Sequence, residues 1–123
     1  MTTLKILYVD DDADIREVAE LCLQMDGDLD VRVAASGAEA LALLDSWEAD
    51  IVMLDVMMPQ MDGPTLLAAI RARPGGQPKA LFITARALPD ELSQLMALGV
   101  AGVITKPFDP IGLAGEVRRL TSL

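Results

Sequence analysis

The sequence predicts an α/β fold in which a parallel sheet carries helices on both faces. Three observations lead there. Five short apolar runs rich in Ile, Leu and Val are spread along the chain, at 4–9, 29–34, 50–54, 79–83 and 101–104, and their length and composition suit strands. Stretches with apolar residues at helical spacing alternate with them, and strict alternation favours parallel strands joined by right-handed crossovers. The chain has 123 residues, which suits one domain over residues 1–123 and is about half of what an eight-unit barrel needs.

The first run, Leu4-Lys5-Ile6-Leu7-Tyr8-Val9, reads as the first strand. Ile15, Val18, Cys22 and Met25 then recur at intervals of three and four and predict a helix. After the second strand, Ser36 and Glu39 have the spacing of a capping box, in which the serine hydroxyl and the glutamate each satisfy an otherwise orphan backbone donor. Ala38, Leu41, Ala42 and Asp45 continue that helix. The third strand leads to a helix with Pro64 at its first position, where no N–H is needed, and with Leu66, Leu67 and Ile70 on its apolar side. The Gly-rich segment 73–78 separates it from the fourth strand. Pro89 opens the fourth helix and Gly99 closes it. Pro110 is expected to open the fifth helix, which docks through Leu113, Val117 and Leu120. Gly112 and Gly115 fall inside that helix at about 1 kcal/mol each relative to alanine, so it is expected to be the loosest element.

Apolar residues form 52% of the chain and charged residues 24%, a balance that builds a core and excludes disorder. Lys and Arg number 10 against 19 Asp and Glu, and the net charge of −9 repels phosphate backbones and anionic membrane surfaces. Neither direct nucleic-acid binding nor membrane insertion is expected. Aromatics at 3% are too few for base-stacking platforms. Cys22 stands alone, which excludes an internal disulfide and a multi-cysteine zinc site, and the lack of histidine excludes a Ser/His/Asp triad. Any chemistry runs on carboxylates, hydroxyls and amines. Asp10 comes too early for a secretory apolar core, and the longest uncharged run, 92–105, has 14 residues with two glycines, so a cytoplasmic protein is expected.

In open parallel sheets ligands sit beyond the carboxyl ends of the strands. The first strand here ends in Asp10-Asp11-Asp12, the third in Asp55 and the fourth in Thr84, and the fifth runs into Lys106. Each has an ordinary use when taken singly: an Asp run caps the next helix, a threonine turns the chain, a lysine solvates the surface. Together they would set carboxylates, a hydroxyl and an ammonium along one edge. Crowded carboxylates repel one another, and a hard divalent cation relieves this, Mg²⁺ being the usual ion where a phosphoryl group completes the shell. An aspartate can attack phosphorus to give an aspartyl phosphate. A cation and a lysine then neutralise the transferring oxygens, and a threonine hydroxyl bonds one of them.

Four segments carry a resemblance to the receiver domains of two-component response regulators that spans essentially the whole chain. They are Leu7-Tyr8-Val9-Asp10-Asp11-Asp12, Asp50-Ile51-Val52-Met53-Leu54-Asp55-Val56-Met57-Met58-Pro59 followed by Met61-Asp62-Gly63, Phe82-Ile83-Thr84-Ala85, and Thr105-Lys106-Pro107-Phe108. The resemblance implies a flavodoxin-like (βα)5 fold with strand order 2-1-3-4-5. It implies that Asp55 is the phosphoacceptor and that Asp10, Asp11, Asp55 and the Met57 backbone carbonyl hold Mg²⁺. Thr84 and Lys106 would bind the phosphoryl oxygens, Asp12 would be an outer acidic neighbour, and the Lys106–Pro107 peptide would be cis.

The implied function is a signal-transduction switch that takes part only in its own phosphorylation and dephosphorylation. Its donor is a histidine kinase or a histidine phosphotransfer protein acting in trans, and phosphorylation changes binding to a downstream protein target. A phosphorelay shuttle is an alternative. A phosphohydrolase working through an aspartyl phosphate is disfavoured, because its second aspartate would stand two residues after the first, where this chain has Met57. The end at Leu123, soon after the fifth helical stretch, suggests a stand-alone receiver. Met57 and Arg86 match positions that flank the path of water to the acyl phosphate in related receivers, and a thioether with a long guanidinium there implies slow dephosphorylation. Val103 stands where many receivers place a Tyr or Phe that swings inward on activation. A β-branched side chain has no ring to bury. The signal is therefore expected in the loop 85–90, with Arg86, Ala87 and Leu88 as switch surface and the fourth helix, fifth strand and fifth helix as partner face.

Overall fold

The computed structural model describes residues 3–75, 77–86 and 88–123. Along the chain run β1 (Leu4–Val9), α1 (Ala13–Gln24), β2 (Leu29–Ala34), α2 (Gly37–Leu44), β3 (Ile51–Asp55), α3 (Gly63–Arg71), β4 (Lys79–Thr84), α4 (Pro89–Met96), β5 (Gly102–Thr105) and α5 (Leu113–Thr121). The strands form one sheet in the order β2-β1-β3-β4-β5. All neighbours are parallel, with Ile6 between Val31 and Ile51, and Leu81 between Met53 and Gly102. Fold class and strand order agree with expectation, and each strand bound lies within one residue of its predicted position.

Alternate strand residues face opposite sides of a sheet. Ile6, Tyr8, Ile51, Met53, Leu81, Ile83 and Ile104 share one side, packed with Ala19 and Leu23 of α1 and with Leu113 and Val117 of α5. Leu7, Val9, Val52, Leu54, Ala80 and Phe82 share the other, packed with Ala40 of α2, Leu66, Leu67 and Ile70 of α3, and Leu95 of α4. A sheet covered on both faces needs near-continuous apolar runs, which is why the inner strands β1, β3 and β4 are almost wholly apolar, whereas the edge strand β2 sets Asp30 and Arg32 between Leu29, Val31 and Val33. Each large aliphatic side chain so buried stabilises the fold by about 1.5–3 kcal/mol.

Short polar side chains start three of the helices. Asp12 accepts from the N–H groups of Asp14 and Ile15 at 3.0 and 3.2 Å, Ser36 Oγ from Glu39 N–H at 3.1 Å, and Asp62 from Thr65 N–H at 2.8 Å. Arg118 of α5 grips Asp26, just past α1, with Nε–Oδ2 at 2.9 Å and Nη2–Oδ1 at 3.2 Å, tying the two helices of that face together. Among the described residues no helix is long and apolar enough to cross a membrane.

Several local expectations need correction. The buried side of α1 is Ala19 and Leu23, with Ile15 and Cys22 half-buried beside them, while Val18 and Met25 are exposed, because the face laid on the sheet follows the i, i+4 series 15, 19, 23 and is turned by one residue from the series 15, 18, 22, 25. In α2 the buried residues are Gly37 and Ala40, and Ala38, Ala42 and Asp45 face out. Pro110 opens a turn, and the helix begins at Leu113. Gly112 is therefore the N-cap of α5, which leaves Gly115 as the glycine inside it. With Leu113, Val117 and Thr121 buried, α5 is better anchored than α4, whose one buried residue is Leu95.

Candidate functional site

Strand parity decides which side chains meet beyond the carboxyl ends of β1, β3 and β5. Asp10 continues the face of Ile6 and Tyr8, Asp55 that of Ile51 and Met53, and Lys106 that of Ile104. All three thus come to the side covered by α1 and α5. Asp10 is completely buried and Asp55 is 5% exposed. Lys106 Nζ lies 2.9 Å from Asp10 Oδ2 and 3.4 Å from Asp55 Oδ2. Asp11 is exposed and adds a third carboxylate, one oxygen from each of Asp10, Asp11 and Asp55 lying within 4.8 Å of the others. The strand ends are pinned by the Asp10 N–H on the Ala34 carbonyl at 3.1 Å and the Lys106 N–H on the Thr84 carbonyl at 2.8 Å. The Lys106–Pro107 peptide is cis.

Three carboxylates around one ammonium leave an excess of two negative charges. All the donors are hard oxygens, two of them buried, and this set fits Mg²⁺. The crowding is felt at Asp55, where burial and then the Asp10 charge push the carboxyl up to about 6 against the pull of Lys106. Burial works against the charge on Lys106, but its bond to Asp10 and the two carboxylate charges prevail and hold the ammonium above its ordinary value.

Asp12 turns away from this cluster to cap α1, as an Asp run after a strand often does. Its N–H still reaches back to Asp10 Oδ1 at 2.9 Å. Tyr8 belongs to the site and was missed from sequence. Its hydroxyl donates to Asp10 Oδ2 at 3.0 Å, and burial followed by the Asp10 charge keeps the phenol far above its usual pKa, fully protonated. A signal was available, since a tyrosine two residues before an aspartate on a strand shares its face.

Thr84 has the opposite parity, that of Phe82, and is buried. Its Oγ1 accepts from the Arg86 N–H at 3.1 Å. The Arg86 guanidinium pairs with Glu91 in the first turn of α4 at 3.1 Å. Leu88 is the exposed N-cap of α4 and makes no side-chain cap bond, and Ala87 lies outside the described residues. Val103 is half-buried against the α4 side of the core, and Met57 is 71% exposed. The structure thus gathers Asp10, Asp11, Asp55 and Lys106 into one cluster. Thr84 stands at the adjoining strand end, bonded to the loop that leads to α4.

Gly63 lets this arrangement close. A Cβ there would sit 2.6 Å from the Asp55 carbonyl oxygen and 3.0 Å from Val56 Cα, both backbone atoms that cannot swing aside. Gly63→Ala is expected to cost about 1–3 kcal/mol, the usual range for overpacking, and to displace the end of β3. Urea denaturation measures it, and an unchanged midpoint would show that β3 and α3 have more room than their geometry indicates.

The family model for the response regulator receiver domain matches residues 6–118. A relative from Leptolyngbya boryana, an uncharacterized 14.6 kDa protein in the sodA1 3′ region, is 35% identical over 120 residues, covering 97% of this chain and 91% of its own. Response regulator Rre1 of Synechocystis is 36% identical over 119 residues, or 95% of this chain and 51% of its own length. The chain spans about half the length of several other curated relatives that it matches. Among solved structures, the chemotaxis response regulator CheY4 of Vibrio cholerae is similar with a TM-score of 0.85 at 34% identity, covering 97% of this chain and 99% of that one. The chain belongs to the response regulator receiver domain family, the phosphorylation-dependent signalling module of two-component systems.

Proposed function

We propose that residues 1–123 act as one receiver unit, in the cytoplasm, that takes a phosphoryl group on Asp55 and thereby changes its protein partner. The observation that carries this is the Lys106 ammonium 2.9 Å from Asp10 and 3.4 Å from Asp55 within a convergent group of three carboxylates. In the proposed step a carboxylate oxygen of Asp55 attacks the phosphorus of a phosphohistidine. The P–O bond forms as the P–N bond breaks, and the imidazole nitrogen leaves with the bonding pair and takes up a proton. These 123 residues hold no histidine, so the donor lies outside them, and the proposed donor is a histidine kinase or a histidine phosphotransfer protein. Asp10, Asp11, Asp55 and the Met57 backbone carbonyl would hold Mg²⁺, which when bound would supply charge neutralisation at the transferring oxygens. Lys106 adds its charge there, and Thr84 is the hydroxyl that turns to a phosphoryl oxygen.

That turn would loosen the bond from the Arg86 N–H and draw on the Arg86–Glu91 pair, which links the loop to the first turn of α4. The light anchoring of α4 through Leu95 supports a response there, and the face of α4, β5 and α5 is the proposed surface for a downstream protein. Val103 is too small to report the change by itself. Turnover of external phosphoesters is not proposed, since the Met57 thioether has no proton to give a leaving group.

Acetyl phosphate with Mg²⁺ is expected to place one phosphoryl group on Asp55, located by mass spectrometry, with no labelling of Asp55→Asn or of wild type in chelator. A group found on another residue sinks the assignment. The same labelled protein gives the lifetime, which the exposed Met57 and Arg86 are proposed to prolong. Decay is expected to be faster in the double variant Met57→Asn/Arg86→Glu, and an equal or longer lifetime would contradict their role.

A further inference from the structure

We infer that Tyr8 is a positioning residue of the acidic site, whose hydroxyl is the fixed donor that holds the Asp10 carboxylate in place when Lys106 is drawn to a phosphoryl group. This rests on the roles proposed above for Asp10 and Lys106. Asp10 Oδ2 accepts two bonds, from Tyr8 at 3.0 Å and from Lys106 at 2.9 Å, while Oδ1 accepts the Asp12 N–H at 2.9 Å. The two donors on Oδ2 differ in kind. Lys106 ends a flexible four-carbon stem, is 14% exposed on its side chain, and divides its charge between Asp10 and Asp55. The Tyr8 ring is completely buried near the carboxyl end of β1, among core residues of the sheet, α1 and α5, has two torsions, and among the described residues its hydroxyl bonds Asp10 alone.

Position 8 has every reason to be purely apolar. Its neighbours on the same face of the sheet, Ile6, Ile51 and Met53, are fully buried aliphatics. A phenol placed there without a partner would cost about 1–3 kcal/mol for its unsatisfied hydroxyl. The hydroxyl is instead spent on one carboxylate, and a donor fixed behind a metal-binding carboxylate sets its orientation, an effect commonly worth 10–100-fold in metal affinity. When Lys106 leaves Oδ2 for a phosphoryl oxygen, Tyr8 and the Asp12 N–H keep the carboxylate plane where it was. The competing possibility is that Tyr8 only fills the core and satisfies its own hydroxyl.

Calorimetric titration with Mg²⁺ separates the two. Tyr8→Phe is expected to weaken Mg²⁺ about tenfold. Ile6→Val, which trims the same face of the same strand, should lower the thermal midpoint and leave the Mg²⁺ affinity within about twofold, in keeping with a purely structural change. A Tyr8→Phe affinity within about twofold of wild type overturns the inference. In the Lys106→Met background the same substitution should cost more than in wild type, because Tyr8 is then the remaining side-chain donor on Oδ2. An equal or smaller cost overturns the division between fixed and movable donor. Absence of Mg²⁺ binding in wild type would instead refute the site reading itself, so the two failures are distinct.

Discussion

Asp55→Asn is expected to make the metal-free protein more stable at neutral pH, by on the order of 3 kcal/mol, or about 10 °C in Tm for a chain of this size. Asparagine stands in for the protonated carboxyl, without the charge that burial and Asp10 disfavour. The folded protein holds the Asp55 proton up to about 6, whereas the unfolded chain releases it near 3.8. Stability from that proton is complete below the unfolded value and is lost as the pH rises through the folded one. The gap between variant and wild type should therefore be near zero around pH 4 and reach its full size about one unit above 6. Asp26 and Asp62 are held below the usual carboxylate range by the bonds from Arg118 and Thr65, so they lose stability in acid, but equally in both proteins. If Asp55 is a Mg²⁺ ligand as proposed, the ion would need it ionised, so Mg²⁺ should bind wild type more tightly as the pH rises through about 6 and narrow the gap. Denaturation of both proteins across this range in chelator provides the measurement. A variant less stable than wild type at neutral pH would mean that Lys106 outweighs burial and Asp10, reversing the electrostatic reading.

Much of this site was legible because β strands offer a two-residue period and a fixed end. Asp10, Asp55, Thr84 and Lys106 could be placed at strand termini from the apolar runs alone, and the crowding of carboxylates around an ammonium follows from that placement. The same two-residue period also sets which face each residue takes, and it places Tyr8 beside Asp10. The parity that carries Asp10, Asp55 and Lys106 to the α1 and α5 side leaves Thr84 on the other, where it bonds Arg86. No local pattern could reveal that Arg86 reaches Glu91, since that contact depends on how the loop enters α4. The helices were harder for a different reason. Residues at intervals of three and four select a face only when one such series is available, and α1 offers several among Ile15, Val18, Ala19, Leu21, Cys22, Leu23 and Met25. Packing on the sheet chose Ala19 and Leu23. Pro110 misled because the same fixed φ that suits a first helical position also suits a turn, and the chain uses it for the turn before Leu113.

Lys106→Met should have two effects of opposite sign. In chelator at pH 8 it is expected to destabilise the protein by about 3 kcal/mol, the lower part of the range for removing one partner of a buried ion pair. Asp10 is left completely buried with the Tyr8 hydroxyl and the Asp12 N–H as partners but with no cation. Asp55 softens the cost at lower pH, because the ammonium that pulls its proton off has gone and it neutralises more readily. Millimolar Mg²⁺ should restore most of the loss, since the ion replaces the missing charge and meets no competing ammonium, and its affinity should rise above that of wild type. Wild type itself gains only about 1.4 kcal/mol at ten times its dissociation constant. Uptake of phosphoryl from acetyl phosphate should nevertheless fall steeply, because the ammonium that would sit on the transferring oxygens is absent. Tighter metal with slower labelling is a combination that general unfolding cannot produce. If Mg²⁺ binds the variant more weakly than wild type, Lys106 is helping to build the acidic site, and its charge does not compete with the ion.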